Sequence, residues 1–260
     1  MEVLPAGDLA ASTGDADAFS YHHYGAASER YSAMGHQTSA DQALSEAWLD
    51  RTDQTLAYYR GVHDRFMPTK RFWNTETADA ACGGNPWAGT FLDTFRYLDQ
   101  LDRLARQEVD VLIHNTLVAS DYGLLDEDSF EPKPNFWGAL LWRRFMGTTV
   151  LDSGLANRAG MHVYTHCLRG VPGGVAVLVL NTDRHDASSL AVPEAAERYT
   201  LSAASLTDRT VLLNGVPLQL GPNDALPPMA VQLTAAGKLA FAPASITLLA
   251  IPSARNETCR

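Results

Sequence analysis

The chain has 260 residues, enough to bury one large core or two ordinary ones. Apolar residues make up 46% and charged residues 19%, which places it among globular proteins and excludes wholesale disorder. With 20 Lys and Arg against 30 Asp and Glu, the net charge of −10 excludes nucleic acid as a partner and disfavours long-range capture of a polyanion.

Residues 1–16 are small, polar and broken by Pro5 and Gly7, and they read as a flexible lead-in with no basic or apolar region of a signal peptide. Asp17 to Tyr24 is a short aromatic run suited to a buried strand. From Asp41 to Phe66 the apolar residues Leu44, Trp48, Leu56, Tyr59, Val62 and Phe66 recur at helical spacing, with Ser39 or Asp41 as the cap and Pro68 as the stop. Arg71 to Glu76 reads as a second strand ending in a carboxylate. Pro86 is expected to open a helix whose apolar face is Phe91, Phe95, Leu98, Leu101 and Leu104. Val109 to His114 is a third, mostly apolar strand, and Phe136 to Phe145 a further helix after Pro132 and Pro134. Alternating strands and helices imply parallel βα units, and three of them fall well short of a closed (β/α)8 barrel of ~250 residues.

After Gly147 the texture changes. Short β-rich runs (His162–Cys167, Val175–Leu180, Tyr199–Ser205, Val211–Leu213, Leu239–Phe241, Ser245–Ile251) alternate with turns such as Asn214-Gly215, as in an antiparallel β-sandwich. The domain boundary is expected within 147–157. No apolar stretch reaches the ~20 residues of a membrane span. Three cysteines, Cys82, Cys167 and Cys259, are too few for a disulfide scaffold, and the sequon Asn256-Glu257-Thr258 is a single weak match.

Each of the three strands ends in polar residues, where a barrel of this kind builds its active site. Glu76, after an apolar strand and before a Gly-rich turn, is placed to attack an anomeric carbon; the structural alternative is a strand-end glutamate paired with Arg71. Tyr24 is placed to donate its phenolic hydrogen bond to that carboxylate, or else is a core aromatic. His22 and His23 alternate across their strand, so only one of them faces the barrel mouth. Gly83 and Gly84 either let backbone N–H groups approach a ligand or serve a tight turn alone. Cys82 reads as a buried loop thiol. Trp48, Trp137 and Trp142 sit at helical positions as core. No His, Cys, Asp or Glu set has metal-ligand spacing, and no cofactor is expected.

The run Trp73-Asn74-Thr75-Glu76-Thr77 leading to Ala80-Ala81-Cys82-Gly83-Gly84 is similar to the nucleophile segment of heparanase and the related bacterial β-glucuronidases of glycoside hydrolase family 79. Four further stretches agree in order: Tyr21-His22-His23-Tyr24; Asp121-Tyr122 with Pro134-Asn135-Phe136-Trp137; Gly147 to Leu151; and Leu213-Asn214-Gly215 with Leu226-Pro227-Pro228. The resemblance runs from about residue 17 to 259.

The resemblance implies that residues 17–149 are the last three βα units of an incomplete (β/α)8 catalytic barrel and residues 150–260 a β-sandwich. It implies retention, with Glu76 as the nucleophile, Tyr24 and His22 beside it, and Tyr122, Cys82, Gly83 and Gly84 binding the carboxylate of glucuronic acid. The family's general acid/base follows an Asn on an earlier barrel strand. The only Asn-Glu pair here is Asn256-Glu257, in the C-terminal tail, so the acid/base and the N-terminal half of the barrel are expected to be missing. The family's glycine loop carries an aromatic where Ala81 stands and a Gly where Cys82 stands. A Cys167–Cys259 disulfide is also implied, with Cys82 free, which would favour a secreted or periplasmic location. With no basic run, a small glucuronide or an unsulfated glucuronic-acid glycan fits better than heparan sulfate. The other reading is a non-catalytic carbohydrate-binding or structural remnant that keeps the sugar subsite.

Overall fold

The computed structural model describes residues 16–260, so the lead-in expected over 1–16 lies, except for its last residue, outside the described residues. Ala18–Ala27 forms β1, in which Phe19, Tyr21 and His23 are buried while Ser20 and His22 are exposed. A 3-10 segment, Glu29–Met34, follows. The helix expected from Asp41 splits into a single turn at Glu46–Leu49 and a longer helix, α1, at Arg51–Phe66. Neither Ser39 nor Asp41 caps it. Ser45 does, its hydroxyl accepting from the Trp48 amide at 3.3 Å.

Arg71–Ala81 (β2), Phe91–Arg106 (α2) and Val111–His114 (β3) complete a three-stranded parallel sheet in the order β1-β2-β3. The helices are the crossovers that parallel pairing requires. Phe19, Tyr21 and Phe72 on the strands pack against Leu56 of α1 and Leu104 of α2. Two boundaries differ most from expectation. β2 does not stop at Glu76, because Ala78, Ala80 and Ala81 continue the ladder opposite Tyr24, Ala26 and Ala27. Nor does Pro86 open α2. The helix starts at Phe91, where the free amides of Phe91 and Leu92 donate to the carbonyls of Asp208 (2.9 Å) and Leu206 (2.7 Å).

Pro134–Phe145 forms α3, with proline in its first turn, where its missing N–H costs nothing. The chain passes directly into Met146–Leu151 (β4), so antiparallel pairing begins at Met146. The remaining strands are His162–Leu168 (β5), Val175–Asn181 (β6), Ser188–Val192 (β7), Ala196–Ser202 (β8), Leu212–Leu213 (β9), Val216–Pro217 (β10), Gln232–Thr234 (β11), Gly237–Phe241 (β12) and Ser245–Ile251 (β13). An eight-stranded sheet has the order β10-β9-β8-β13-β6-β5-β4, with β11 also on β8, and β7 pairs with β12 as a separate ribbon.

Alternation explains the layering. On β6, Ala176, Leu178 and Leu180 join Phe91, Phe95, Leu98, Trp137 and Leu141 of the helices in the main core. The intervening Val177 and Val179, with Leu249 and Ile251 of β13, pack instead with Val192 and Phe241 of the ribbon. The central strands are therefore covered on both faces and read as continuous apolar runs. Trp48 and Trp137 are buried, and Trp142 is partly so.

α2 lies between the two sheets and buries its charged face as well as its apolar one. Arg103 pairs with Asp99, Glu46 and Asp53. His162 of β5 sits between Asp99 (2.5 Å) and Glu46 (2.8 Å), and His166 contacts Asp102 at 2.9 Å. Such charges persist inside only when paired. Cys167 and Cys259 form a disulfide with Cα atoms 5.3 Å apart, holding the C-terminal turn on β5. Among the described residues no helix is long and apolar enough to cross a membrane.

Candidate active site

The site begins with a slip in strand register. Tyr21 pairs with Asn74, but the next residue, His22, pairs with Glu76, so Thr75 is an extra residue in β2. Partners across a ladder share a face, and a slip of one residue moves a side chain to the other face. Were the register to run on unbroken, with Thr75 opposite His22, Glu76 would fall opposite His23, whose side chain is buried toward the helices. The insertion instead sets Glu76 beside His22 and on the same open face as Tyr24.

The Tyr24 hydroxyl donates to Glu76 Oε1 at 2.5 Å, and His22 Nδ1 lies 3.5 Å from Oε2. Both side chains of the latter pair remain accessible, 58% for His22 and 39% for Glu76. Burial first, and then the Glu76 acceptor, raise the pKa of the Tyr24 phenol, so it stays protonated as a donor. Glu76 does not pair with Arg71.

Asn115, immediately after β3, ties the site together. Its side-chain amide donates to Tyr24 Oη at 2.8 Å and to Tyr122 Oη at 3.3 Å. The Tyr122 carbonyl lies 2.8 Å from His114 Nε2. Burial pushes His114 down to about 4, as it does His23, so both rings are neutral. A continuous chain therefore runs Glu76, Tyr24, Asn115, Tyr122.

The turn after β2 lies against the far end of that chain. A Cβ on Gly84 (φ +85°) would come within 2.8 Å of the Tyr122 ring, so only glycine lets the turn approach the phenol so closely. Gly83 (φ +90°) accepts from the Asp121 amide through its carbonyl at 3.1 Å. Arg30 bridges this turn and the loop after β3, donating to the Gly84 carbonyl at 2.9 Å and pairing with Asp121 at 2.5 Å. No sequence pattern marked Arg30, which enters from the 3-10 segment. Cys82 corrects an expectation: its thiol is exposed, because its own left-handed conformation (φ +65°) turns it out of the fold. Beneath the turn, buried Asp79 accepts from the Asn85 amide at 3.0 Å.

The arrangement offers one oriented carboxylate, two linked phenols and a glycine turn. Among the described residues, no group of three or more His, Cys, Asp or Glu is placed to hold a metal ion. A groove of about 830 Å³ behind β3, lined by Val109, Leu112, Trp142, Val150 and Arg169 among others, shares none of these residues.

No protein-family model matches the chain. Over 230 residues it is 28% identical to baicalin-β-D-glucuronidase of Scutellaria baicalensis, covering 83% of this chain and 44% of that protein. Over 261 residues it is 29% identical to heparanase of Gallus gallus, covering 94% and 48%. The chain thus spans about half the length of the curated relatives it matches over most of its own. Among solved structures, a 4-O-α-L-rhamnosyl-β-D-glucuronidase from Fusarium oxysporum superposes with a TM-score of 0.72 at 13% identity, covering 96% of this chain and 57% of that one. A family 51 arabinofuranosidase from Xanthomonas axonopodis pv. citri gives 0.63 at 15% identity, covering 95% and 55%. These structures share the fold.

Proposed function

We propose that this chain, heparanase-like in sequence over most of its length, is the C-terminal part of a retaining glycoside hydrolase acting on β-linked glucuronic acid, with Glu76 as its nucleophile. The observation that carries this reading is the hydrogen-bonded run from Glu76 through Tyr24 and Asn115 to Tyr122, on the open face of a parallel sheet and against a glycine turn. In retention, the Glu76 carboxylate attacks the anomeric carbon as the glycosidic C–O bond breaks, and a second carboxyl roughly 5–5.5 Å away protonates the departing oxygen. Tyr24 orients the nucleophile. Tyr122 and the backbone of Cys82, Gly83 and Gly84 receive the sugar carboxylate, and His22 flanks the reacting carbon.

Residues 17–149 act in this reading as the last three βα units of a (β/α)8 barrel, and residues 150–260 as the sandwich that buttresses it. Glu257 lies in a 3-10 turn after the last strand, tied by Cys259 to β5, and takes no part in the chemistry. The general acid is contributed by a preceding half of the barrel, which pairs with the open edges of the parallel sheet. The net charge of −10 favours a small glucuronide or an unsulfated glycan as substrate.

An activated substrate isolates the nucleophile, because dinitrophenolate departs without a proton. The 260-residue protein should be labelled once by 2,4-dinitrophenyl 2-deoxy-2-fluoro-β-D-glucuronide, at Glu76 by peptide mass spectrometry, and not at all as Glu76→Gln. Unactivated glucuronides should remain intact, since general acid help is worth ~10²–10⁴ in rate. Labelling elsewhere, or none, would sink the assignment. Glucuronate binding without labelling would leave the non-catalytic sugar-binding reading standing.

A further inference from the structure

Asp79 has no part in the chain of contacts that holds Glu76, yet it lies directly under the turn that closes the site. Its carboxyl is fully buried, and Oδ2 accepts from the Asn85 amide at 3.0 Å. Oδ1, equally buried, has no hydrogen-bond partner. That oxygen would be 3.1 Å from a Cβ on Gly84, on the side where the Tyr122 ring would be 2.8 Å away. The carboxyl and the Tyr122 ring therefore both lie close against Gly84.

The charges around Asp79 do not balance an ionised form. From α2 come Asp93 and Arg96. The guanidinium engages Asp93 through Nε (2.6 Å) and Nη2 (2.9 Å), and its remaining Nη1 goes to Gln100. From α3, Asn135 donates to Asp93 at 2.7 Å. Arg30, above the turn, is held by the Gly84 carbonyl and Asp121. Arg96 is thus committed to Asp93, and an ionised Asp79 leaves one unpaired negative charge in a dry site. Burial, and then the Asp93 charge, hold the Asp79 carboxyl up at about 7.

We propose that Asp79 is a positioning residue whose protonated form makes the Cys82–Gly84 turn and Tyr122 competent to receive a sugar carboxylate, and whose ionised form repels it. The proposal rests on the reading of that turn as a glucuronate subsite. Placed behind the turn and shielded from water, the negative charge acts on an anionic ligand through a medium of low dielectric. The subsite then takes up glucuronate in acid and releases it as Asp79 loses its proton, with apparent affinity following the protonated fraction.

Saturation-transfer NMR titrations of the whole chain at pH 6 and pH 8 test this with D-glucuronic acid, which is ionised at both, and with neutral D-glucuronamide. The wild type should bind glucuronate roughly tenfold more weakly at pH 8 than at pH 6, the ratio set by a competent fraction that titrates near 7. Asp79→Asn, isosteric and always neutral, should bind it equally at both, and the wild type should bind glucuronamide equally at both. A wild type indifferent to pH overturns the inference but leaves the subsite standing, as does a fall that persists in Asp79→Asn. If Asp79→Asn does not fold, the amide decides: a tenfold fall for glucuronamide overturns the inference. No glucuronate binding at pH 6 overturns the subsite and the inference with it.

Discussion

Replacing His162 with glutamine should remove most of the stability that this fold loses above about pH 8. The imidazole is fully buried on β5, with Nδ1 2.5 Å from Asp99 and Nε2 2.8 Å from Glu46. Each nitrogen faces a carboxylate oxygen, so the ring satisfies both only as the doubly protonated cation. Burial opposes that charge, but the two carboxylates outweigh it and raise the pKa from 6.5 to about 9. A group whose folded pKa is raised contributes its full stability below the unfolded pKa and loses it as pH climbs through the folded one. At about 1.4 kcal/mol per pH unit, the span from 6.5 to about 9 amounts to roughly 3 kcal/mol. Urea unfolding at intervals from pH 6 to pH 9.5 should show that loss in the wild type. His162→Gln, which donates to only one carboxylate, should be less stable at pH 6 and nearly flat above about pH 8. Asp79 and Asp102, both raised to about 7, add their own loss of stability up to about pH 8 and leave the upper part of the window to histidine. Parallel curves for the two proteins would refute the account.

Gly84→Ala should cost about 1–3 kcal/mol in urea unfolding, from the left-handed backbone and from overlap with the Tyr122 ring; an unchanged midpoint would mean that the ring yields freely. Tyr24→Phe should slow labelling of Glu76 by the activated fluoro-glucuronide roughly tenfold or more, the worth of a hydrogen bond to a charged acceptor. Ellman's reagent should titrate one thiol per native chain, Cys82, and find none in Cys82→Ser. Cys167→Ser should lower stability by at most about 4–5 kcal/mol, the chain-entropy ceiling for a separation of 92 residues; a calorimetric melt identical to that of the wild type would refute a stabilising role.

Period and punctuation were enough to find most elements. β6 and β13 stood out as unbroken apolar runs, and α2 and α3 as periodic ones. β7 was hidden because Ser188-Ser189-Leu190-Ala191-Val192 presents too few apolar residues, and only pairing with β12 makes it a strand. The start of α2 was misplaced at Pro86 because what fixes it, two carbonyls more than a hundred residues later, has no local signal. At the site, residue type singled out Glu76 and Tyr24 and the family resemblance added Tyr122, but nothing in the sequence shows that Thr75 is the inserted residue that turns the carboxylate outward. Asn115 and Arg30 act through partners distant in the chain. Asp79, in an alanine-rich run, looks like an ordinary surface carboxylate until its burial is known.

The carbonyls of Leu206 and Asp208 that meet the first amides of α2 also bear on how this architecture can be rearranged. The end of a helix in the parallel layer is completed by backbone from the antiparallel one, so no side-chain substitution can restore the contact if the later layer is removed. A truncation after residue 150 would leave amides bare next to Phe91 and uncover the main core. The antiparallel half is for that reason not an appendage that can be exchanged for an unrelated β-domain. Recombination between homologues should be tolerated only where residues 91–106 and 205–209 are inherited from the same parent.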